Sequence, residues 1–203
     1  MSMYTLAHYA LDPALINWAL FQSRIEPKRL LGKRTTGWHS EYRYTVEAAG
    51  LFKPVLTHIL SLYPDMLLDR WWINVCAPQE ETFEHYHGDL MTSIVYYVQV
   101  PPMSGQIEFQ NDLKEWNGYQ PNAGDIIAFD GMILHRVQAN MSKDMRISVG
   151  INLQTHEEFQ RTVKSRKTNL IPEVYPPAED LWAKRQQQLA IDAINATRPK
   201  GTL

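Results

Sequence analysis

An all-β core flanked by helices, its strands arranged in two facing sheets as a jelly roll, is the fold class this sequence predicts. Three observations carry it. From residue 70 onward, short β-branched and aromatic runs replace the helical spacing of the first third. Turn signals separate those runs: Pro101-Pro102 with Ser104-Gly105, Asn111-Asp112, Asn122-Ala123-Gly124 and Asp130-Gly131. A hydrophobic fraction of 44% in 203 residues, with six Trp, ten Tyr and six Phe, is ample for a packed core.

The chain is read as one domain with three parts: a helical and extended support over 1–69, the β core over 70–154, and a C-terminal extension over 155–203. Asp12-Pro13 supplies a cap and a first-turn proline, and Leu15, Ile16, Ala19 and Leu20 then recur at helical spacing. Residues 33–44 read as extended. A second helix is expected from about Phe52 to Leu62, with Pro54 in its first turn and Pro64 closing it. Eight strands follow, at 70–76, 81–87, 93–100, 105–109, 116–120, 125–129, 133–139 and 145–153. The mouth of a jelly roll is a common home for a small ligand. Beyond Pro172, Pro176 and Pro177, an amphipathic helix over about 178–197 carries Leu181, Trp182, Leu189, Ile191 and Ile194. It packs against the barrel or against a second copy of the chain, which makes a homodimer one reading of its role.

Charge narrows the partners. A net charge of −2 argues against nucleic acid or an anionic membrane surface as a partner. The basic run from Lys28 to Arg34 reads as a solvated face rather than a binding patch. The single cysteine, Cys76, excludes an internal disulfide and suits a reducing compartment; its apolar setting reads as a buried, inert thiol. No signal-peptide pattern and no run of 18 apolar residues is present, so a cytoplasmic protein without a membrane span is expected. Nucleotide-binding loops, a nucleophile elbow and C-x-x-C pairs are also absent from the sequence.

The chemistry concentrates in His85-Tyr86-His87-Gly88-Asp89, answered downstream by His135 and then by Arg146 and Ser148. A strand projects alternate side chains to one face, so positions 85, 87 and 89 can point the same way. Two imidazoles and one carboxylate on one face of an iron leave positions open for a co-substrate and O2. His8, His39, His58 and His156 read as ordinary histidines.

From Trp71 to Gln154 the chain resembles the 2-oxoglutarate- and Fe(II)-dependent oxygenases, and within them a group common in bacteria and their phages. The resemblance rests on Trp72-Ile73-Asn74-Val75, His85-Tyr86-His87, Ser93-Ile94-Val95-Tyr96-Tyr97-Val98, Ser104-Gly105, Pro121 to Gly124, Phe129, His135 and Arg146-Ile147-Ser148. Ile94 stands where a glycine is usual, which alters packing beneath the site. The resemblance implies a double-stranded β-helix core, Fe(II), 2-oxoglutarate and O2 as cofactors, and hydroxylation of a substrate with release of succinate and CO2. It implies His87 and His135 as metal ligands. The superfamily pattern H-x-D makes Asp89 the third; the H-x-H of the closer group makes it His85. Both stay open. Arg146 would take the distal carboxylate of 2-oxoglutarate in a bidentate grip. Ser148 faces the same side, Tyr97 would reach the same carboxylate, and Asn74 would hydrogen-bond the co-substrate or hold a structural bond. The competing reading of Arg146 is a surface salt bridge near Lys143 and Asp144.

Trp71, Trp72 and Trp116 are candidates to wall the pocket. Residues 25–45, the 110–118 connection and the C-terminal helix are expected to select the substrate, whether a peptidyl side chain, an amino acid or a small metabolite. Three other functions compete. An iron dioxygenase of cupin type that dispenses with 2-oxoglutarate would suit a three-histidine site. A non-catalytic jelly roll could bind a sugar or peptide, and oxidation of nucleic-acid bases would require a basic groove.

Overall fold

The computed structural model describes residues 4–10, 13–26, 34–40, 46–88 and 91–161. All of them lie in a compact unit, Met1–Thr162; Val163–Leu203 form a second unit, so the expected C-terminal helix lies outside the described residues, as do Lys28 to Lys33 of the basic run.

The elements follow in the order β1 (Tyr4–His8), α1 (Pro13–Ile25), β2 (Trp38–His39), α2 (Val46–Leu62), β3 (Met66–Cys76), β4 (Thr82–His85), β5 (Thr92–Gln99), β6 (Ile107–Gln110), β7 (Trp116–Tyr119), β8 (Asp125–Asp130), β9 (His135–Val137) and β10 (Arg146–Thr155). They build a six-stranded sheet of order β1-β8-β5-β10-β3-β2 and a four-stranded sheet of order β4-β9-β6-β7, all antiparallel. This is the double-stranded β-helix core.

Each expected strand from residue 70 onward is present. The larger sheet is buried on both faces, and strand alternation divides its side chains between two layers. Trp71, Ile73 and Val75 of β3, Ile94, Tyr96 and Val98 of β5, and Ile147, Val149, Ile151 and Leu153 of β10 pack with Leu15 and Ala19 of α1 and Phe52, Val55 and Ile59 of α2. On the other face, Tyr97, Ile127 and Phe129 meet Ile107 and Phe109 of the smaller sheet. The remaining inward positions of β3 and β10 face a cavity.

Several expectations are corrected. β1 falls in a region read as helical. Its five residues are too few to show alternation, and docking beside β8 fixes them as an edge strand, with Tyr4 stacked on Phe109 at 5.2 Å between centroids. α2 begins at Val46 rather than near Phe52, so Pro54 sits inside the helix, where it withholds a donor from the carbonyl four residues back. Ile94 points into the helix-facing layer and does not touch the cavity.

Candidate metal centre and its cavity

Two parallel rows of alternating residues line the cavity from the larger sheet. Arg70, Trp72, Asn74 and Cys76 of β3 stand in register with Asn152, Gly150, Ser148 and Arg146 of β10, rung by rung. Val95 and Tyr97 of β5 join them, and His85, His87 and His135 face them from the smaller sheet side. The cavity volume is about 110 Å³, a space for small molecules rather than drug-sized ligands.

His85 pairs with His135 across β4 and β9, and Phe109 lies on the far side of His135 in β6. The ladder ends at His85. The chain then turns inward, with the His87 amide donating to the Gly131 carbonyl at 2.8 Å. Gly88 adopts φ +126°, a left-handed backbone that glycine tolerates at little cost, immediately after His87. The three imidazoles thereby offer ring nitrogens all within 4.8 Å of one another. Asp89 lies outside the described residues.

Backbone carbonyls decide which nitrogen is free. A carbonyl only accepts, so His85 donates through Nδ1 to Phe83 at 2.7 Å and His135 donates through Nδ1 to Ile133 at 2.9 Å. In the neutral ring each Nε2 then carries a lone pair for a metal, and the Nδ1–H bond on the other side of the ring is the contact that orients a metal-ligating histidine. Burial favours the neutral rings. Burial lowers the pKa of all three, that of His87 to about 3 with help from the His85 and Arg34 charges. His87 Nε2 and His135 Nε2 stand 3.3 Å apart. Two nitrogens each about 2.1 Å from one divalent ion, at roughly 90–110°, are about 3.0–3.4 Å apart. The donor set fits a first-row metal.

Behind the ligands stands a pile of rings. Trp72 stacks on His87 at 5.4 Å and on His39 at 5.7 Å between centroids. Trp72 also covers Gly150 so closely that a Cβ there would lie 2.3 Å from its ring.

At the other end, Arg146 is 4% exposed and donates through Nη1 to the carbonyls of Ser104 and Gln138, and through Nη2 to the Cys76 sulfur at 3.2 Å. Those bonds use three of five guanidinium hydrogens. Nε–H and the second Nη2–H remain without a partner among the described residues, and they form one side-on edge able to grip a carboxylate. The reading of Arg146 as a surface salt bridge is therefore wrong: the neighbouring Lys143 and Asp144 are exposed, while Arg146 points inward. Beside it, the Tyr97 hydroxyl is fully buried with no hydrogen-bond partner among the described residues, and burial pushes its pKa up. Asn74 and Ser148 line the same stretch.

The sequence reading missed Arg70, took His39 as an ordinary histidine and placed Arg34 on a solvated face; all three line the cavity. Arg70 could have been found by running the alternation of Trp72 and Asn74 back one step. His39 carried no such signal, since it enters through a two-residue edge strand opposite Asn74. Two wall candidates fail. Trp71 faces the helices against Phe52 at 4.9 Å, as alternation requires of the neighbour of Trp72, and Trp116 lies under Arg136 at 4.2 Å, outside the cavity. Nor does any residue of the 110–118 connection line it, whereas Arg34, Thr35, Gly37, Trp38 and His39 do, within the expected 25–45 segment.

No protein-family model and no curated protein sequence matches the chain. Solved structures do match in fold. A Pseudomonas putida prolyl-4-hydroxylase is 15% identical with a TM-score of 0.58, over 76% of this chain and 93% of that one. A Trichoplax adhaerens prolyl hydroxylase, solved with a hypoxia inducible factor peptide, is 11% identical with a TM-score of 0.62, over 79% and 87%. HygX from Streptomyces hygroscopicus, solved with nickel and 2-oxoglutarate, is 9% identical with a TM-score of 0.57, over 76% and 84%. The chain shares the fold of 2-oxoglutarate/Fe(II) oxygenases.

Proposed function

We propose that the protein is an Fe(II)- and 2-oxoglutarate-dependent oxygenase that hydroxylates a small molecule, an amino acid or a peptidyl side chain. The observation that carries this reading is a single cavity holding both a converging imidazole set and, further along β10, a buried group of unsatisfied carboxylate-binding donors. When bound, iron, 2-oxoglutarate and O2 together supply an oxidant for a C–H bond, with succinate and CO2 released. The protein holds and orients. His87 and His135 bind the metal, with His85 or Asp89 as third ligand. The free edge of Arg146 and the hydroxyls of Tyr97 and Ser148 hold the distal carboxylate of 2-oxoglutarate, with Asn74 beside them. Trp72 shields the ligands from water on the β10 side. Phe83 and Ile133 carbonyls hold the Nδ1 protons of His85 and His135, which leaves the Nε2 of each ring unprotonated in the neutral form.

Convergence of three histidines favours a second reading, an iron dioxygenase that does not use 2-oxoglutarate. Anaerobic titration of the Fe(II)-loaded protein with 2-oxoglutarate separates the two, because the chelate absorbs weakly in the visible. The band is expected in the wild type and lost in His87→Ala. Its loss in Asp89→Ala but not His85→Ala assigns the carboxylate as third ligand; the reverse assigns three histidines. A wild-type protein that binds Fe(II) but develops no band refutes the 2-oxoglutarate reading.

A further inference from the structure

Arg146 is held by three acceptors, of which two are backbone carbonyls and one is a side chain. Nη1 donates to the Ser104 and Gln138 carbonyls, and Nη2 donates to the Cys76 sulfur at 3.2 Å. Cys76 stands directly across the β3–β10 ladder from Arg146, is 4% exposed and lines the cavity. The two bonds on Nη1 pin one corner of a flat group. They leave the guanidinium able to rock about that corner, and rocking swings the Nε–Nη2 edge. The contact from Nη2 to sulfur, at a second corner, opposes this motion.

The sulfur is itself held. Its S–H donates to the Glu80 carbonyl at 2.9 Å, which leaves sulfur lone pairs for the guanidinium. The same carbonyl accepts the Asn140 amide at 2.9 Å, and the Asn140 side chain donates to the Cys76 carbonyl at 2.9 Å. Gln79 takes φ +68°, a left-handed backbone uncommon outside glycine, in the turn between Cys76 and Glu80. Two loops and a strand end thus fix one sulfur atom.

All three acceptors on Arg146 are uncharged, and a thiol is a weak one. The buried guanidinium therefore keeps its charge available for a carboxylate. A second group at this end also lacks an acceptor: the Tyr97 hydroxyl, beside Ser148 in the β5–β10 ladder, is buried and unpartnered among the described residues.

Resting on the oxygenase reading above, we propose that Cys76 is a positioning residue for the co-substrate. Its sulfur sets the angle of the Arg146 guanidinium, and the site thereby selects a 2-oxo acid that carries a second carboxylate. The sulfur acts as a hydrogen-bond acceptor only and takes part in no covalent or redox step.

The full chain loaded with Mn(II) is titrated by calorimetry with 2-oxoglutarate and with 2-oxobutyrate, which has the same chelating end and no second carboxylate. The ratio of the two Kd values reads the grip on that carboxylate, because a general loosening of the site weakens both acids. Wild type should prefer 2-oxoglutarate by about 100-fold, the contribution of charge-assisted bonds from a guanidinium edge and a hydroxyl. Cys76→Val fills the position without an acceptor and Cys76→Ala leaves it open; in both the preference should shrink about tenfold. Cys76→Ser supplies a hydroxyl that accepts and donates, and its ratio should lie nearer wild type than alanine. The Glu80 carbonyl keeps its Asn140 bond in every variant, so the turn stays closed, and a metal-dependent rise in Tm shows each variant folded. A wild-type ratio in the valine and alanine variants, even with both affinities lowered, would mean that Cys76 only packs and overturns the proposal. So would a serine variant no better than alanine. A wild-type protein that binds neither acid, or both equally, fails before any variant is made, at the oxygenase reading itself.

Discussion

Replacing Tyr97 with phenylalanine should move stability and co-substrate affinity in opposite directions. Tyr97 is 1% exposed and its hydroxyl is buried without a partner among the described residues. Phenylalanine fills the same ring volume, so the substitution removes an unsatisfied polar group and opens almost no cavity. Such a group costs about 1–3 kcal/mol. The ligand-free Tyr97→Phe protein should therefore be more stable by about 1 kcal/mol or more, a rise of about 2–4 °C in Tm per kcal/mol for a chain of this size. With 2-oxoglutarate present the hydroxyl gains its acceptor. A hydrogen bond to a charged group contributes about 1.5–3 kcal/mol, so affinity should fall about 10- to 100-fold. Thermal unfolding of the Mn(II)-loaded protein over a series of 2-oxoglutarate concentrations reads both effects. The variant should start higher and gain less, and the two curves should cross. A variant less stable than the wild type without ligand would mean that the hydroxyl is already satisfied. Unchanged 2-oxoglutarate affinity would remove Tyr97 from the carboxylate site.

Three further outcomes follow from the same geometry. Gly150→Ala should cost about 1–3 kcal/mol by overpacking and push Trp72 off His87, which urea unfolding and a smaller metal-dependent rise in Tm would register. Arg146→Met should lose about 2–4 kcal/mol of stability, because the Ser104 and Gln138 carbonyls and the Cys76 sulfur lose their buried donor, and should abolish the chelate band. The third concerns acid. All three cavity histidines have folded-state pKa values below the unfolded value of about 6.5, so between the two the unfolded chain holds protons that the folded chain does not. Metal-free stability should therefore fall as pH drops from about 6.5 toward 3, by about 1.4 kcal/mol per pH unit for each group in that window. Denaturant midpoints taken across this range in the wild type and in His87→Phe would show it, with a shallower slope in the variant.

Much of this site is legible in the sequence, for a simple reason. Strand alternation is local, so Asn74, Tyr97, Arg146 and Ser148 could be placed on one side of their strands from the sequence, and the turn residues between strands marked where each run stopped. The histidines were legible because their spacing is unusual for a structural role. Local rules gave no hold on β1, whose five residues become a strand only when β8 lies beside them, or on His39, which matters only because Trp72 lies against it. Arg146 shows the boundary well. Its position on the strand and a carboxylate-binding role could be read directly, but the neighbouring charges of Lys143 and Asp144 left an exposed pair as the competing reading. Only the packed sheet shows that its Nη1 is held by two carbonyls while one edge stays open.

The sequence by itself determined the strand order in the chain, the faces of the strands and the residue types available for a metal and a carboxylate, because these depend on side-chain period and chemistry within one segment. The tertiary structure decided what no segment contains. It set His85 opposite His135, stacked Trp72 on His87 over the bare Gly150, left the Tyr97 hydroxyl without a partner among the described residues, and put Arg70 and Arg146 at opposite ends of one cavity. Those are relations between strands far apart in the chain, fixed by sheet register and close packing, and a one-dimensional pattern does not encode them.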